Sequence, residues 1–522
     1  MHLKRFYQIF TLFIVFLFSC QTVKKVGNTA TGISTTKDDH LIKFTFLQVN
    51  DVYEISPMEG GKVAGMARVA TLNRQLQKEN PNTFFVLAGD FLNPSLYGTI
   101  KVDGETVSGR QIVEVMNTAG VDLVAFGNHE FDLKEEQLQD RINLSDFNWI
   151  GTNVLQNRVD SMPPFSSTRK ANYVAPFYQE KGGVKHAIPE THIWKIKDAD
   201  GTELSIGIFS ATINSNQKDY VAYQDYKAEA TKTYLELACQ TDFVLGLTHL
   251  AIEEDMALAA QLPNVPLLMG GHEHHHMKVK VGGVTITKAD ANAKTAWVHR
   301  FEFNKNTGQH TLESELIDIT DKISAEPTTQ KVVTHWEDIL HDKLKEVYPD
   351  PEKVIYQAKE PLDGRAFAVR TRSTNLGQLI CGGIAKATNT EAAVINSGSI
   401  RIDDELEGAI QAIDIFRVLP FKGNVSEIEV SGIHLLKILE YGLIEKLGSG
   451  SFAQTYNLTY DKDNKTGTIG NKPIMPNERY RVGFGSYLLG SLMKKGIIPK
   501  QDFSTGIDLR VAVINYMNGL KE

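Results

Sequence analysis

Six side chains of coordinating type stand at the ends of five apolar runs. Asp51 follows FTFLQVN, Asp90 follows TFFVLAG, Asn128 follows VDLVAFG, His249 follows TDFVLGLT, and His272 and His274 follow VPLLMGG. Imidazoles, carboxylates and an amide oxygen together are a donor set for borderline-hard divalent cations. A carboxylate such as Asp90 can bridge two ions, about 3.5–4 Å apart, in a clamp for a phosphoryl group. Taken singly, a histidine at a strand end is more often a hydrogen-bonded structural residue, and an aspartate there a cap or turn residue. Five successive strand ends carrying such residues argue against that reading. His275 and His276 continue past His274 and read as residues at the surface or behind the ligands.

To bring these residues together, buried strands must end at one edge. Each run is short, β-branched or aromatic and bounded by turn residues, which predicts a strand. Between them, Met66, Val69, Ala70 and Leu76, and then Ile112, Val113 and Met116, fall at helical spacing. The alternation predicts an α/β fold with its functional residues on loops beyond the strands' C-terminal ends. Glycines before Asp90, Asn128 and His272 predict sharp turns and close approach of a ligand. Further on, TQKVVTHWEDILHDKLKEVYPD has helical spacing at Val332, Trp336, Ile339, Leu340, Leu344 and Val347, and Pro351 is expected to end that helix. It reads as the connection between two domains. The part beyond it alternates helix and strand again and carries no second ligand set.

With 522 residues, 42% hydrophobic and 23% charged, the chain is of ordinary globular composition and long enough for two or more domains. A formal net charge of −8 offers no basic footprint, which argues against a nucleic-acid polymer as partner. No protein partner is predicted. The start, MHLKRFYQIFTLFIVFLFSC, has a basic head and a short apolar run ending at Cys20, as in an export signal. LFSC resembles a bacterial lipobox, which implies lipidation of Cys20, an exported, membrane-anchored protein and a flexible tether over residues 21–40. Cys239 and Cys381 stand in apolar contexts and are expected to be buried free thiols.

At Asp51, Gly89-Asp90, GNHE (127–130), His249 and GHEH (271–274) the chain resembles the calcineurin-like metallophosphoesterases, motif by motif and in order. GNHEFD, with Asp132, narrows the resemblance to the secreted 5′-nucleotidase branch, which includes UDP-sugar hydrolases and cyclic-nucleotide phosphodiesterases. That resemblance implies an α/β (α+β) chain. Its parts would be a lipoprotein signal (1–20), a tether (21–40), a four-layer αββα phosphoesterase domain (41–325), a linker helix (326–355) and a smaller α/β substrate-binding domain (356–522). It further implies two divalent ions, Zn, Mn, Co or Fe, one held by Asp51, Asp90 and His274 and the other by Asp90, Asn128, His249 and His272. His129 would face the phosphate, with Asp132 orienting that imidazole and keeping it protonated. Water activated by the cations would be the nucleophile. Most of the family reads Asp-x-His at the first motif, where this chain has Tyr53. Tyr53 binds as phenolate, or a water or another side chain fills the gap, or the first site is weak.

NSGSIR (396–401) is a glycine-containing turn with an arginine, suited to anionic or polar groups, and equally readable as a plain strand–turn. By the resemblance, Arg370 and Arg401 would contact the substrate phosphate, Asn396 the base edge, and Phe421 and Tyr487 would sandwich the base. The family's Gly-Gly-Asp-Gly, whose aspartate holds the ribose, is replaced by GSYLLGSLMKKG. The expected function is therefore a 5′-nucleotidase releasing phosphate from nucleoside monophosphates. The alternatives are a UDP-sugar hydrolase or 2′,3′-cyclic-nucleotide phosphodiesterase or another phosphomonoesterase, and a non-catalytic surface-binding lipoprotein on the same scaffold.

Overall fold

The structure is a computed structural model that describes residues 39–160 and 171–520. The export signal, Cys20 and nearly all of the tether lie outside the described residues. Two six-stranded sheets form the N-terminal part. In the first, Leu41–Val49, Thr83–Leu87, Leu123–Ala125 and Asn148–Ile150 run parallel, and Thr295–Asn304 and His310–Asp318 extend it antiparallel. In the second, Glu203–Thr212, Phe243–His249, Leu267–Gly270 and Val284–Lys288 are parallel, with Thr191–Lys197 and Met277–Val281 as antiparallel edges.

Alternation along the strands decides what packs where. Ile42, Phe44 and Phe46 point between the sheets and meet Ile206, Ile208, Leu245, Leu247 and Met269, while Leu47 and Val49 point the other way, into a cluster shared with helices. Phe44 stacks on Phe301 with ring centroids 4.8 Å apart. Met66–Glu79 and Arg110–Ala119 cover the outer face of the first sheet, and Tyr226–Ala238 and Ile252–Gln261 cover that of the second. The result is the expected α/β/β/α layering, held by three apolar interfaces. At the functional edge the sheets are also joined by polar bonds: the buried amide of Gln48 donates to the carbonyls of Gly270 (3.0 Å) and Thr287 (2.9 Å).

The connecting helix runs Pro327–Lys345, with Pro327 in its first turn and the Glu326 side chain capping the Thr329 N–H. It stops before Pro351, and Val347 lies beyond its end and is exposed. Its apolar face, Val333, Trp336, Leu340 and Leu344, packs on the N-terminal part, where the Trp336 indole donates to Glu114 (3.0 Å). The C-terminal part is a five-stranded mixed sheet, in order Ala453–Tyr456, Ala392–Asn396, Arg479–Gly485, Asn424–Ser431 and Ser504–Asp508. Asn375–Thr388 and Leu509–Gly519 pack on one face against Ala393 and Ile395, and Gly432–Glu440 and Ser486–Lys494 on the other against Ala392 and Val394. Cys381 is buried, but Cys239 is exposed, contrary to expectation. Cys239 caps the C-terminus of Tyr226–Ala238, and it is Leu237 that carries the buried face there.

Candidate metal centre and active site

All five predicted strand ends converge where the two sheets meet. The turns that follow are tight: Asp51 (φ 53°), Asp90 (φ 60°), His272 (φ 89°) and His274 (φ 49°) all lie in the left-handed region. For residues other than glycine this costs about 1–2 kcal/mol each, and such strain persists where surrounding structure enforces it. The neighbouring glycines are steric requirements. A Cβ on Gly127 would stand 2.1 Å from Asp90 Oδ1, and one on Gly271 would stand 2.4 Å from the Ala88 carbonyl.

Two buried groups that the sequence did not single out hold these turns. Glu130, fully buried, accepts N–H bonds from Asp90 (2.9 Å), Phe91 (2.8 Å), Leu92 (3.2 Å) and Gly127 (2.7 Å), tying the second and third strand ends together. Burial and the nearby Asp90 push its pKa up to about 7. Lys288, also fully buried, donates to the Leu250 carbonyl (2.6 Å) and pairs with Asp255 (2.9 Å) and Glu273. Because Glu273 sits between His272 and His274, this ion cluster anchors the turn that carries both imidazoles. The only local signal of either role was an acid inside each motif.

The predicted donor atoms face one another. His249 Nδ1 donates to the Ala88 carbonyl (2.7 Å), which fixes the ring and leaves Nε2 directed inward. Nε2 stands 3.2 Å from Asp90 Oδ2 without forming a hydrogen bond, the disposition of two donors converging on a third atom. Although burial disfavours charge on His249, Asp90 and Asp51 outweigh it and push its pKa up to about 9. Burial and the neighbouring His249 instead hold His272 down at about 4, a neutral imidazole. Against its own burial, Asp90 is held well below the usual carboxylate range by His249 and His129. Asp51 Oδ1 lies 3.1 Å from His274 Nε2, and Asp51 Oδ2 accepts the His272 N–H at 2.9 Å.

Tyr53 points into this group. Its hydroxyl is 3.3 Å from Asp51 Oδ1, 3.1 Å from Asp90 Oδ2 and 3.1 Å from His274 Nε2. Donors sharing one tetrahedral ion at about 2.0–2.1 Å are separated by about 3.3–3.4 Å, so these hydrogen-bond distances also put the phenol near enough to share an ion with the other three. Burial, with Asp90 and Asp51, raises its pKa well above the normal phenol value, so without a cation it is a neutral donor. Tyr53→Phe is accordingly expected to weaken one of two cations selectively, and Tyr53→His to tighten it. Metal stoichiometry after graded chelation reads this directly, and unchanged retention in Tyr53→Phe would make the hydroxyl a bystander.

His129 lies at the rim. Its N–H donates to Asp90 Oδ1 (2.7 Å), and its Nδ1 is 2.6 Å from Asp132 Oδ2. Asp132 is itself held by Asn93 (3.0 Å) and Asn216 (3.2 Å), and Asn216 also donates to the Asn128 carbonyl (3.2 Å). Asn93 and Asn216 come from other loops, and no motif announced them.

A cleft of about 980 Å³ opens over the ligands, lined by Tyr53, Asp90, His129, His272 and His274 on one side and by Arg370, Arg401 and Asp403 of the C-terminal part on the other. Burial and the adjacent Arg401 lower the Arg370 pKa, and the nearby Asp403 offsets part of that. The other three predicted contacts do not line this cleft. Asn396 spends its amide internally, accepting from Ser399 Oγ (3.0 Å) and donating to the Gly450 carbonyl (3.3 Å). Phe421 and Tyr487 are 47% and 74% exposed, on segments joined by the Asn424 N–H to Ser486 Oγ bond (3.2 Å).

The donor set fits divalent cations. Asn128 Oδ1 and His249 Nε2 are buried polar atoms with no hydrogen-bond partner, an expensive state that a cation would relieve. Asp90, His249 and His272 each offer a ligand atom within 4.8 Å of the others. Residues 44–276 match the calcineurin-like phosphoesterase family model, and residues 354–493 that of the 5′-nucleotidase C-terminal domain. A trifunctional nucleotide phosphoesterase protein of Bacillus subtilis is 24% identical over 83% of this chain, which spans 30% of that protein's length. A 5′-nucleotidase of Vibrio parahaemolyticus is 25% identical, over 86% of this chain and 84% of that one. Among solved structures, a 5′-nucleotidase precursor from Thermus thermophilus aligns over 92% of this chain and 97% of its own, with TM-score 0.65 and 22% identity.

Proposed function

Since the chain belongs to the calcineurin-like phosphoesterases that carry a 5′-nucleotidase C-terminal domain, a metal-dependent phosphoester hydrolase, we propose that it uses two divalent ions to release phosphate from nucleoside monophosphates. The observation that supports this most is the position of Asp90 Oδ2. It lies between His249 Nε2 on one side and the Tyr53 hydroxyl on the other, at the floor of a cleft whose opposite wall carries two arginines. Asp90, Asn128, His249 and His272 would hold one ion, and Asp51, Asp90, His274 and Tyr53 the other. When bound, the ions supply Lewis acidity to a phosphoryl oxygen and lower the pKa of water.

The protein's own residues do the rest. Arg370 and Arg401 fix the anionic end of the substrate by charge-assisted hydrogen bonds. His129, its Nδ1 committed to Asp132, is left with Nε2 to donate to a phosphoryl oxygen as charge builds there. Strained turns and buried anchors pre-set this geometry, so little reorganisation remains for the reaction itself.

A second reading, hydrolysis of a nucleotide sugar, a cyclic nucleotide or another compact phosphoester, is favoured by the engaged amide of Asn396 and the missing ribose aspartate after Tyr487. Phosphate release from AMP, UDP-glucose, 2′,3′-cyclic AMP and p-nitrophenyl phosphate separates the two. AMP is expected to exceed p-nitrophenyl phosphate in kcat/KM by about 10-fold or more, since stacking a base on an aromatic side chain contributes roughly 1–3 kcal/mol. Equal values for the two would remove base recognition from the proposal.

A further inference from the structure

Two of the three imidazoles on which the candidate cation sites depend are anchored differently. His249 is set from within its own domain, through the Ala88 carbonyl at 2.7 Å. His274 is not. Its Nε2 faces Asp51 Oδ1 and the Tyr53 hydroxyl, and its Nδ1 pairs with Asp403 Oδ2, a residue of the C-terminal part. Asp403 is itself held tightly. Its other oxygen accepts the N–H of Ala366, its backbone is left-handed (φ 44°), and its side chain is three-quarters buried. Ala366 opens the helix Ala366–Thr371 that carries Arg370, and Asp403 stands two residues after Arg401. One carboxylate thus joins the backbone of both arginine-bearing segments to an imidazole of the opposite domain.

We propose that Asp403 is a positioning residue for His274, so that the first cation site is completed across the domain boundary and cation binding and domain docking stabilise one another. A histidine that ligates through Nε2 needs an acceptor at Nδ1 to hold its tautomer and ring plane, and loss of such a partner typically weakens metal binding. Among the described residues Asp403 is the partner recorded at His274 Nδ1. The second site has no such dependence, because His249 is held by its own domain and Asn128 follows a strand of the first sheet. The first site is also the one with a single imidazole. Linkage is reciprocal: if docking favours the ion, the ion favours docking by the same factor. The substrate arginines then come to the cleft already registered against the first cation. This inference rests on the reading of His274 as a ligand.

The test uses the full chain, freed of metal and titrated with Mn2+ by calorimetry and chelator competition, with hydrogen exchange of the 401–404 segment as the docking readout. Wild type is expected to bind two ions and to gain protection in that segment as the first site fills. Asp403→Asn should weaken one ion by about 10–100-fold, leave the other unchanged, and abolish the metal-linked protection. Asp403→Glu, which keeps a carboxylate, should recover part of the loss. Asp404→Asn breaks the neighbouring Lys294 ion pair across the same boundary without touching His274, so it should weaken the first ion only through docking, by less than Asp403→Asn does, and leave the second at the wild-type value. The proposal is overturned if Asp403→Asn binds both ions as wild type does, or loses both equally, as a general destabilisation would. His274→Ala distinguishes the two levels: if it retains both ions, the ligand reading fails, and the role given to Asp403 fails with it.

Discussion

His249→Ala is expected to lose one cation and to lower phosphate release on the order of 10⁴-fold, the scale on which a catalytic constellation collapses when one member is removed. Both effects follow from one atom. His249 Nε2 is buried beside Asp90 Oδ2 with no hydrogen-bond partner, and its ring is locked by the Ala88 carbonyl. No other described side chain is placed to substitute for it at that point. Alanine leaves the Asp90 and Asp51 carboxylates without the imidazolium that they stabilise, against its burial, by raising the His249 pKa to about 9. The same shift sets a pH dependence. Below about pH 9 the free imidazole carries a proton that a cation must expel, so apparent cation affinity rises with pH and levels off above that value. Calorimetry in buffers of different ionisation enthalpy counts the released proton. Wild-type metal content and turnover in His249→Ala would sink the two-ion assignment.

The functional strand ends were legible because each is a local pattern, an apolar run closed by a residue of coordinating type, with a glycine before Asp90, Asn128 and His272. Strand alternation carried the layers for the same reason, with Ile42, Phe44 and Phe46 on one face and Leu47 and Val49 on the other. What was not legible lies in pairings between distant segments. Asn216 reaches Asp132, Lys288 reaches Glu273, and Asp403 reaches His274. None of these has a period or spacing to reveal it, since the fold alone makes them neighbours. Tyr53 stood between these cases. Its departure from the family pattern was visible in the sequence, but only the distances to Asp51, Asp90 and His274 show the hydroxyl turned inward. The aromatic pair stands apart from both: Phe421 and Tyr487 share neighbouring segments and are exposed, outside the cleft that holds the predicted cation donors.

His129→Ala tests a different kind of contribution, a loss of rate without loss of metal. The imidazole lies at the cleft rim, whereas the bond that binds this residue to the ligand cluster is made by its backbone, His129 N–H to Asp90 Oδ1 at 2.7 Å. Alanine keeps that bond. The variant should therefore hold both cations while kcat falls by about 10²–10³-fold, the usual effect of removing one donor aimed at developing charge. Asp132 and Asn216 act through the ring: Asp132 pairs with Nδ1, and Asn216 holds both Asp132 and the Asn128 carbonyl. Asn216→Ala should thus cost less than His129→Ala and add little to it when the two are combined, because once the ring is gone its positioning no longer matters. Single-turnover rates and metal content of the two single variants and the double variant decide the matter. Full additivity would place Asn216 in a separate role, and loss of metal in His129→Ala would make the imidazole itself a ligand.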